Sequence, residues 1–523
     1  GLVISATDFN PERIMIDDAL VFDEPDANVG DTFTAPIVGV MEYSFGNFKI
    51  LNFAPLPPLN SSFTAESTSL AGSSTALTVA TFNVENLSPN DPQDKFDALA
   101  SQIVNNLNAP VILSLEEIQD NTGVTNDSVT DASQTYGQLI AAIQAAGGPV
   151  YEYRDIAPQD LMDGGAPGGN IRVGFLFQPA LVTFVDRAGG DAVTNTTLTL
   201  GTDGVQLSAS PGRIDPTNPA WADSRKPLAG EFIFNGQKVI VIANHFNSKG
   251  GDNPLFGRIQ PPVLASEAQR LEQATVVNGF VQEILALDAN ANVIVMGDLN
   301  DFPFSAPVQT LAGGELHNLI DTLPPTEQYT YQFEGNLQVL DHILVSDNLF
   351  INLFAGVDVV HGNAERDTDL RVTDHDPVVA LFNFDSSGYV VNEDGCYVVA
   401  LEGSPFAGPA STVVVGDPGY IGIRFHVGRW GYAQGFGYDA CYEIHGTNQS
   451  EFLTGSLGND TIFGYGGHDY LSGLFGDDTF TGGSGSDLFL GGPGWDTVLD
   501  FQPGTDVCLN VESGCKWWIK HKF

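Results

Sequence analysis

From residue 455 the chain reads GSLGNDTIF, GYGGHDYLS, GLFGDDTFT, GGSGSDLFL and GGPGWDTVL, five consecutive nonapeptides that end at residue 499. Each carries Gly at its first and fourth places and Asp at its sixth, which sets carboxylates at Asp460, Asp469, Asp478, Asp487 and Asp496. No other stretch restricts the fold so tightly, because a glycine-rich flexible linker has no reason to keep a nine-residue period over five turns. Glycine lets the backbone turn tightly and present its carbonyls, and a carboxylate once per turn completes an oxygen cage for a hard cation. The segment is therefore expected to bind Ca²⁺ through those five aspartates.

The repeats leave most of a 523-residue chain to account for, too much for one ordinary core. Hydrophobic residues at 42% are enough for real cores. A formal charge of -45 keeps the protein in solution and works against casual binding to nucleic acid or anionic membranes. It suits saline or calcium-containing water outside a cell. Ten of the 20 Lys and Arg fall between residues 151 and 270, so an anionic substrate should be met there. Cys396, Cys441, Cys508 and Cys515 lie in the last quarter without metal-ligand spacing and predict two disulfides. Three pairings are open, and order along the chain favours 396 with 441 and 508 with 515. No apolar run approaches the length of a membrane span, so no stable membrane insertion is expected. The start, GLVISATDFN, lacks signal-peptide character, and any such segment is expected to have been removed already.

Residues 1–54 form an acidic opening whose alternation in TFTAPIVGVMEYSFGNFKILNF predicts several short strands. Residues 55–76, rich in Pro, Ser and Thr, read as a linker. From 77 to 385 strand-like runs alternate with a few helical ones. LTVATFNV and PVILSL predict strands, and KFDALASQIVNNL between them places Phe96, Leu99, Ile103 and Leu107 on one helical face. Further buried strands follow in IRVGFLF, KVIVIANHF, VIVMGDL, DHILVS and PVVALF, with helices of the YGQLIAAIQAAGG and SEAQRLEQATVVNGFVQEIL type between some of them. Many strands with a few covering helices imply a layered α/β sandwich. Residues 386–454 are β-rich and cysteine-bearing with no readable motif, and residues 500–523 close the repeats as a cap.

The polar residues of the central region cluster at strand ends. VIVMGDLND delivers Asp298 and Asn300 two positions apart, on one side of a strand. TVATFNVEN ends in Asn83 and Glu85, VILSLEEIQDN in Glu116 and Glu117, and VIVIANHFNSKGG in Asn244, His245 and Asn247. QVLDHILVS opens a strand with Asp341, and VTDHDPVVALF carries Asp374 and His375. If these edges converge, they hold what metal-assisted phosphoester hydrolysis requires: hard oxygen ligands, a base for water and donors for phosphate.

In this order the motifs TFNVENL, LSLEEIQDN, ANHFNSKGG, GDLND, LDHILVS and TDHDPV resemble those of the endonuclease/exonuclease/phosphatase superfamily, the deoxyribonuclease I fold. More closely they resemble its secreted bacterial ExeM-type extracellular nucleases, over residues 77–385. The resemblance implies a four-layered β-sandwich flanked by helices. The opening residues are similar to the end of the OB-like domain that precedes the catalytic domain in that subfamily. The nonapeptides resemble a parallel β-roll, in which successive turns alternate between two edges and about three ions are enclosed.

Roles follow by resemblance. Glu117 is similar in position to the family's main metal-binding glutamate, with Asn83 beside it, for Mg²⁺ or Mn²⁺. Asp298 and Asn300 match the pair that orients the attacking water and holds the phosphate. His245 and His375 match two histidines at the phosphate, with Asp341 and Asp374 as their orienting or metal-linked acids. Strand alternation sends Glu116 and Glu117 to opposite sides, and the motif selects Glu117. His342 is expected to face away from the site. Asn247, Lys249, Arg172 and Arg225 are expected to contact substrate, since basic groups in so acidic a protein favour phosphate; Lys226 shares that reading.

The expected activity is that of a secreted, metal-dependent phosphodiesterase cutting DNA, with RNA as a further substrate. Two readings compete: a phosphomonoesterase or phospholipid phosphodiesterase of the same fold, and a calcium-ordered surface protein whose catalytic domain is inert. The C-terminal region offers a place for surface or matrix association. Oligomeric state is left open.

Overall fold

The computed structural model describes residues 4–6, 8, 13–22, 25–61, 63–201, 204–255, 259–367, 371–384, 390–391, 397–401, 413–415, 431–434, 441–456 and 458–515. The chain divides into two compact units, Gly1–Phe350 with Gly356–Phe384, and Ile351–Ala355 with Asp385–Phe523.

Two mixed sheets dominate the first unit. One runs in the order Phe354–Val359, Val378–Asn383, Ala76–Leu87, Ile112–Ile118, Arg172–Phe177, Glu152–Asp155. The other runs Val182–Phe184, Leu228–Phe234, Gln237–His245, Asn292–Asp298, Asp341–Ser346, Leu316–Asn318, with Gly212–Arg213 added beside Leu228–Phe234. The strands buried on both faces read as the continuous Val, Ile and Leu runs expected of strands covered on both sides. The sheets meet through aromatic edges: Phe175 of the first packs edge-on against Phe232 of the second at 5.5 Å between ring centroids. Helices close the outside. Phe96, Leu99 and Ile103 of the first helical stretch and Tyr136, Leu139 and Ile143 of helix Ser133–Ala145 pack on Phe82, Leu113 and Leu115. Ala274, Val277, Val281 and Ile284 of helix Glu267–Leu287 cover Ile240, Ile242, Val293 and Val295. Each such buried aliphatic contributes roughly 1.5–3 kcal/mol. The result is helix, sheet, sheet, helix: the four-layered sandwich.

The helix read over KFDALASQIVNNL is α-helical only over Gln93–Ser101 and widens to a π-turn over Gln102–Asn106. The four predicted positions, Phe96, Leu99, Ile103 and Leu107, are all fully buried. The Pro- and Ser-rich stretch is not a free tether. Glu66 and Thr68 donate backbone N–H groups to the carbonyls of His361 (2.8 Å) and Asn106 (2.8 Å), and Leu70 packs on the first core. The opening residues form a three-stranded sheet of Met15–Asp17, Asn47–Asn52 and Gly39–Ser44.

In the second unit the repeats wind into two parallel sheets. Thr461–Phe463, Thr479–Thr481 and Thr497–Val498 stack in one; Tyr470–Ser472 and Leu488–Leu490 stack in the other, followed by Val507–Leu509. The first, third and fifth nonapeptides thus lie on one side and the second and fourth on the other. Ile462, Leu471, Phe480, Phe489 and Val498, the apolar eighth residue of each turn, form the core between them. Cys508 and Cys515 are joined. Cys441 is also disulfide-bonded, and Cys396, its expected partner, lies outside the described residues, as does most of 386–440.

Candidate active site

Strand register assembles the site. In the second sheet His245 stands opposite Asp298, and Asp298 opposite Asp341, one row across three neighbouring strands. Gly297 makes this approach possible: its φ is +140°, and a Cβ there would lie 1.9 Å from the Asn244 carbonyl oxygen. Asn300, at φ +52°, turns its backbone N–H onto Asp298 Oδ1 (2.8 Å).

The first sheet contributes through a bulge. Its ladder shifts between Leu115 and Ile118, and Glu117 takes φ +63°, a left-handed conformation that only surrounding structure sustains in a non-glycine residue. Glu117 thereby reaches the cleft, where its Oε2 accepts the Asn86 N–H (3.0 Å). Glu116 points the other way and is fully buried, bonded to Ser114 (2.6 Å) and Thr81 (3.0 Å). Burial lifts its carboxyl to about 8. Asn83 ties the sheets together, its amide donating to Asp298 Oδ2 (3.2 Å) and Glu117 Oε1 (3.3 Å).

The two histidines are pushed in opposite directions from the usual imidazole range. His375 Nδ1 lies 2.7 Å from Asp341 Oδ2, which fixes the ring and turns Nε2 toward Asp298 Oδ2 (3.8 Å) and Asp374 Oδ1 (4.0 Å). Burial opposes its charge, yet Asp341 and Asp298 raise it well above the usual imidazole range. His245 Nε2 lies 3.5 Å from Asp298 Oδ2 and 3.9 Å from Glu117 Oε1. Burial first, then the positive charges of Arg225 and His375, push it well below that range. Burial also lifts Asp298 to about 7, with His375 opposing and Asp341 adding to the rise.

These groups open into a cleft of about 440 Å³ lined by Glu117, His245, Asp298, Asn300, Asp374 and His375, with Lys249 and an apolar set that includes Phe302, Tyr331 and Phe333. The Lys249 Nζ sits 3.0 Å from Asp301 Oδ1 and 4.2 Å from the Phe302 ring centroid. Arg270, itself fully buried, holds the other oxygen of Asp301 at 2.7 Å.

Some expected contacts are not there. Arg172 does not line the cleft; it is 2% exposed, with its guanidinium on Asp155 (3.3 Å) and the Asn170 carbonyl (3.0 Å). Every residue of its strand is buried, so a charge there must find protein acceptors. Arg225 is buried too and donates to the Phe246 carbonyl (2.5 Å), where its charge acts on Glu117, Asp298 and His245 from behind the cleft surface. Lys226 is bound to Asp163 (2.6 Å). The Asn247 backbone is tied to Gln273 (2.8 Å), and the residue is not among those lining the cleft. His342 is buried between Asn318 (3.0 Å) and the Asp301 carbonyl (2.9 Å). The aromatic lining was missed: Phe333 sits on a short hairpin, Tyr331–Phe333 with Asn336–Gln338, and nothing in its local pattern marks it as part of a site.

A divalent cation fits the donor set. Glu117, Asp298 and Asp374 offer hard oxygens to one cleft, and a buried oxygen of Asp341 has no hydrogen-bond partner among the described residues. Asp298, Asp341 and His375 each place a ligand atom within 4.8 Å of the others. Asn83 as placed presents its amide nitrogen to the carboxylates, with its oxygen on the Glu85 N–H (3.0 Å).

In the roll each repeat aspartate uses one oxygen as backbone acceptor two turns away: the Asp460 N–H donates to Asp478 (2.8 Å), Asp469 to Asp487 (2.9 Å) and Asp478 to Asp496 (3.0 Å). The second oxygens of Asp469, Asp478, Asp487 and Asp496 are buried without a hydrogen-bond partner among the described residues. Burial lifts Asp469 and Asp478 to about 8 and Asp460 to about 6. That bare row of oxygens fits bound Ca²⁺.

Residues 80–375 match the sequence profile of the Endonuclease/Exonuclease/phosphatase family. Residues 445–480 and 472–499 match the RTX calcium-binding nonapeptide repeat, and residues 1–61 match a domain of unknown function. No curated protein matches the chain. Among solved structures it is similar to an endonuclease/exonuclease/phosphatase family protein from Bacteroides thetaiotaomicron (16% identity, TM-score 0.37, 60% of this chain and 96% of that one). It is also similar to D. rerio TDP2 complexed with single strand DNA product (17%, 0.37, 59% and 99%) and to a mannosyl-6-phosphatase of Bacteroides thetaiotaomicron (15%, 0.36, 58% and 98%).

Proposed function

Because this chain belongs to the endonuclease/exonuclease/phosphatase family, we propose that it is a secreted, divalent-metal-dependent nuclease that cuts the phosphodiester bonds of DNA, and of RNA as a further substrate. One observation carries the reading. The cleft that holds His245, His375 and the carboxylates of Glu117, Asp298 and Asp374 is also lined by Tyr331 and the half-exposed Phe333. Flat aromatic faces beside a phosphate site suit a nucleobase, which stacks without regard to sequence.

A divalent cation held by Glu117 and Asp374, with Asp298 beside them, would neutralise charge that develops on the phosphate. The chain's own groups do the rest. Asp341 fixes the His375 ring, and the protonated Nε2 donates to a phosphate or leaving oxygen. The Asp298 carboxylate, made a stronger base by burial, accepts the proton of the attacking water. Asn300 holds Asp298 in place through its N–H. His245, which burial and then Arg225 behind it push below the usual imidazole range, adds a donor that does not repel the cation. Lys249, the lysine among the cleft-lining residues, meets the phosphate backbone.

Calcium-type repeats support secretion, because a roll with bare buried carboxylates orders where calcium is abundant. The test sets plasmid DNA, RNA, a phosphomonoester and a choline phospholipid side by side with Mg²⁺ or Mn²⁺. Nucleic acid should be cut fastest. Preference for the phosphomonoester or the phospholipid would overturn the substrate assignment and leave the family unchanged.

A further inference from the structure

Immediately after His375, Asp376 turns away from the cleft into a second polar cluster. Its Oδ1 accepts three backbone N–H groups, from Gly362 (3.0 Å), Asn363 (2.7 Å) and Ala364 (3.1 Å), which fixes the carboxylate and commits Oδ2 to His361 Nδ1 at 3.2 Å. Glu365 Oε1 lies at the same 3.2 Å from that nitrogen. We propose that His361, Glu365 and Asp376 form a second metal site, separate from the catalytic cleft, for a divalent transition ion of the Zn²⁺ or Mn²⁺ class.

Four features support it. The three ligand atoms lie within 4.8 Å of one another, and the residues are 5%, 6% and 0% exposed. The 3.2 Å separations are close to the edge of a tetrahedron whose ligands stand about 2.0–2.1 Å from a zinc ion, an edge of about 3.3 Å. Glu365 Oε2 is buried and has no hydrogen-bond partner among the described residues, although a cluster built only as a hydrogen-bond network would satisfy it. The surroundings also orient the ligands as metal sites require. The Tyr329 hydroxyl donates to Glu365 Oε1 (2.6 Å), and the Tyr329 ring stacks on His361 with 3.9 Å between centroids.

Charge points the same way. Glu327 lies 3.5 Å from His361 Nε2, and Glu66 accepts the His361 backbone N–H (3.2 Å). So much negative charge around one imidazole calls for a proton or a cation, and an imidazole with carboxylates selects a transition ion over Mg²⁺ or Ca²⁺. The ion would pin the 361–365 turn to the residue that follows His375. It plays no part in the chemistry itself.

The test uses the full chain, stripped of metal and equilibrated with Zn²⁺ or Mn²⁺ in the presence of calcium. Anomalous diffraction at the metal's absorption edge should show a peak bounded by His361, Glu365 and Asp376. Tyr329→Phe, which keeps all three ligands, should weaken binding there by about 10-fold or more. Glu365→Gln should lose that one equivalent of bound metal, and Glu117→Gln should keep it. No peak at the cluster when other sites are saturated, or full metal retention by Glu365→Gln, would overturn the site without touching the nuclease assignment.

Discussion

The catalytic unit and the repeat roll both bury carboxylates, and they stabilise them in opposite ways. Around the cleft these acids have side-chain partners, His375 for Asp341, the Asn83 amide for Asp298 and Glu117, Lys249 and Arg270 for Asp301, and Asp341 alone among them keeps a buried oxygen unpaired among the described residues. In the roll one oxygen of each of Asp469, Asp478, Asp487 and Asp496 has no such partner among the described residues, and each turn gives one apolar residue to the core. A protein-satisfied site can be folded before its ion arrives; a row of bare oxygens makes ion binding part of folding.

The largest way to break this contrast is chelation. Removing calcium should abolish the calorimetric transition of residues 441–515 and leave that of the catalytic unit, with the lost transition returning when calcium is restored. A roll equally resistant to protease with and without chelator would erase the distinction. Next in size is Arg172→Ala, which leaves Asp155 without its buried cation and should cost roughly 3–5 kcal/mol of stability with little change in kcat/KM. A specific loss of substrate binding at unchanged stability would return Arg172 to the site. His375→Ala reverses that pattern: turnover should fall by about 10²-fold or more while the thermal transition stays put. Equal rates on the best substrate would remove His375 from catalysis.

Two glycine substitutions sharpen the comparison at smaller scale. A Cβ on Gly473 would lie 1.8 Å from Asp478 Oδ2, so Gly473→Ala should weaken the roll by about 1–3 kcal/mol, read as a higher calcium requirement for folding. Gly137, in helix Ser133–Ala145, has open space around its Cα, and Gly137→Ala should stabilise the catalytic unit by about 0.5–1 kcal/mol. A calcium titration unmoved by Gly473→Ala would show that close seating of the carboxylate is not what its glycine serves.

Much of this architecture is written in local pattern. Continuous apolar runs marked the buried strands, the helical face of Phe96, Leu99, Ile103 and Leu107 marked a covering layer, and the nine-residue period marked the roll. Alternation sent Glu116 and Glu117 to opposite sides, and the motif chose Glu117. The bulge at Leu115–Ile118 that aims Glu117 has no signature in LSLEEIQDN, because it depends on how that strand pairs with Arg172–Phe177.

Where sequence reading went astray, residues of one chemical type had to be sorted by position. Arg172, Arg225 and Lys249 share a basic region, yet only Lys249 lines the cleft. Their fates turn on partners far along the chain, Asp155, the Phe246 carbonyl and Asp301, which no window of sequence brings together. His361, Glu365 and Asp376 show the same thing, since a turn and a strand start meet only after the sheets close. Periodicity is a property of neighbouring residues, so the sequence by itself determined the layers, the roll and the strand ends that carry polar groups. The charge state of each histidine, the burial of each arginine and the orientation of each carboxylate depend on distances between strands remote in sequence, and only the tertiary structure decided them.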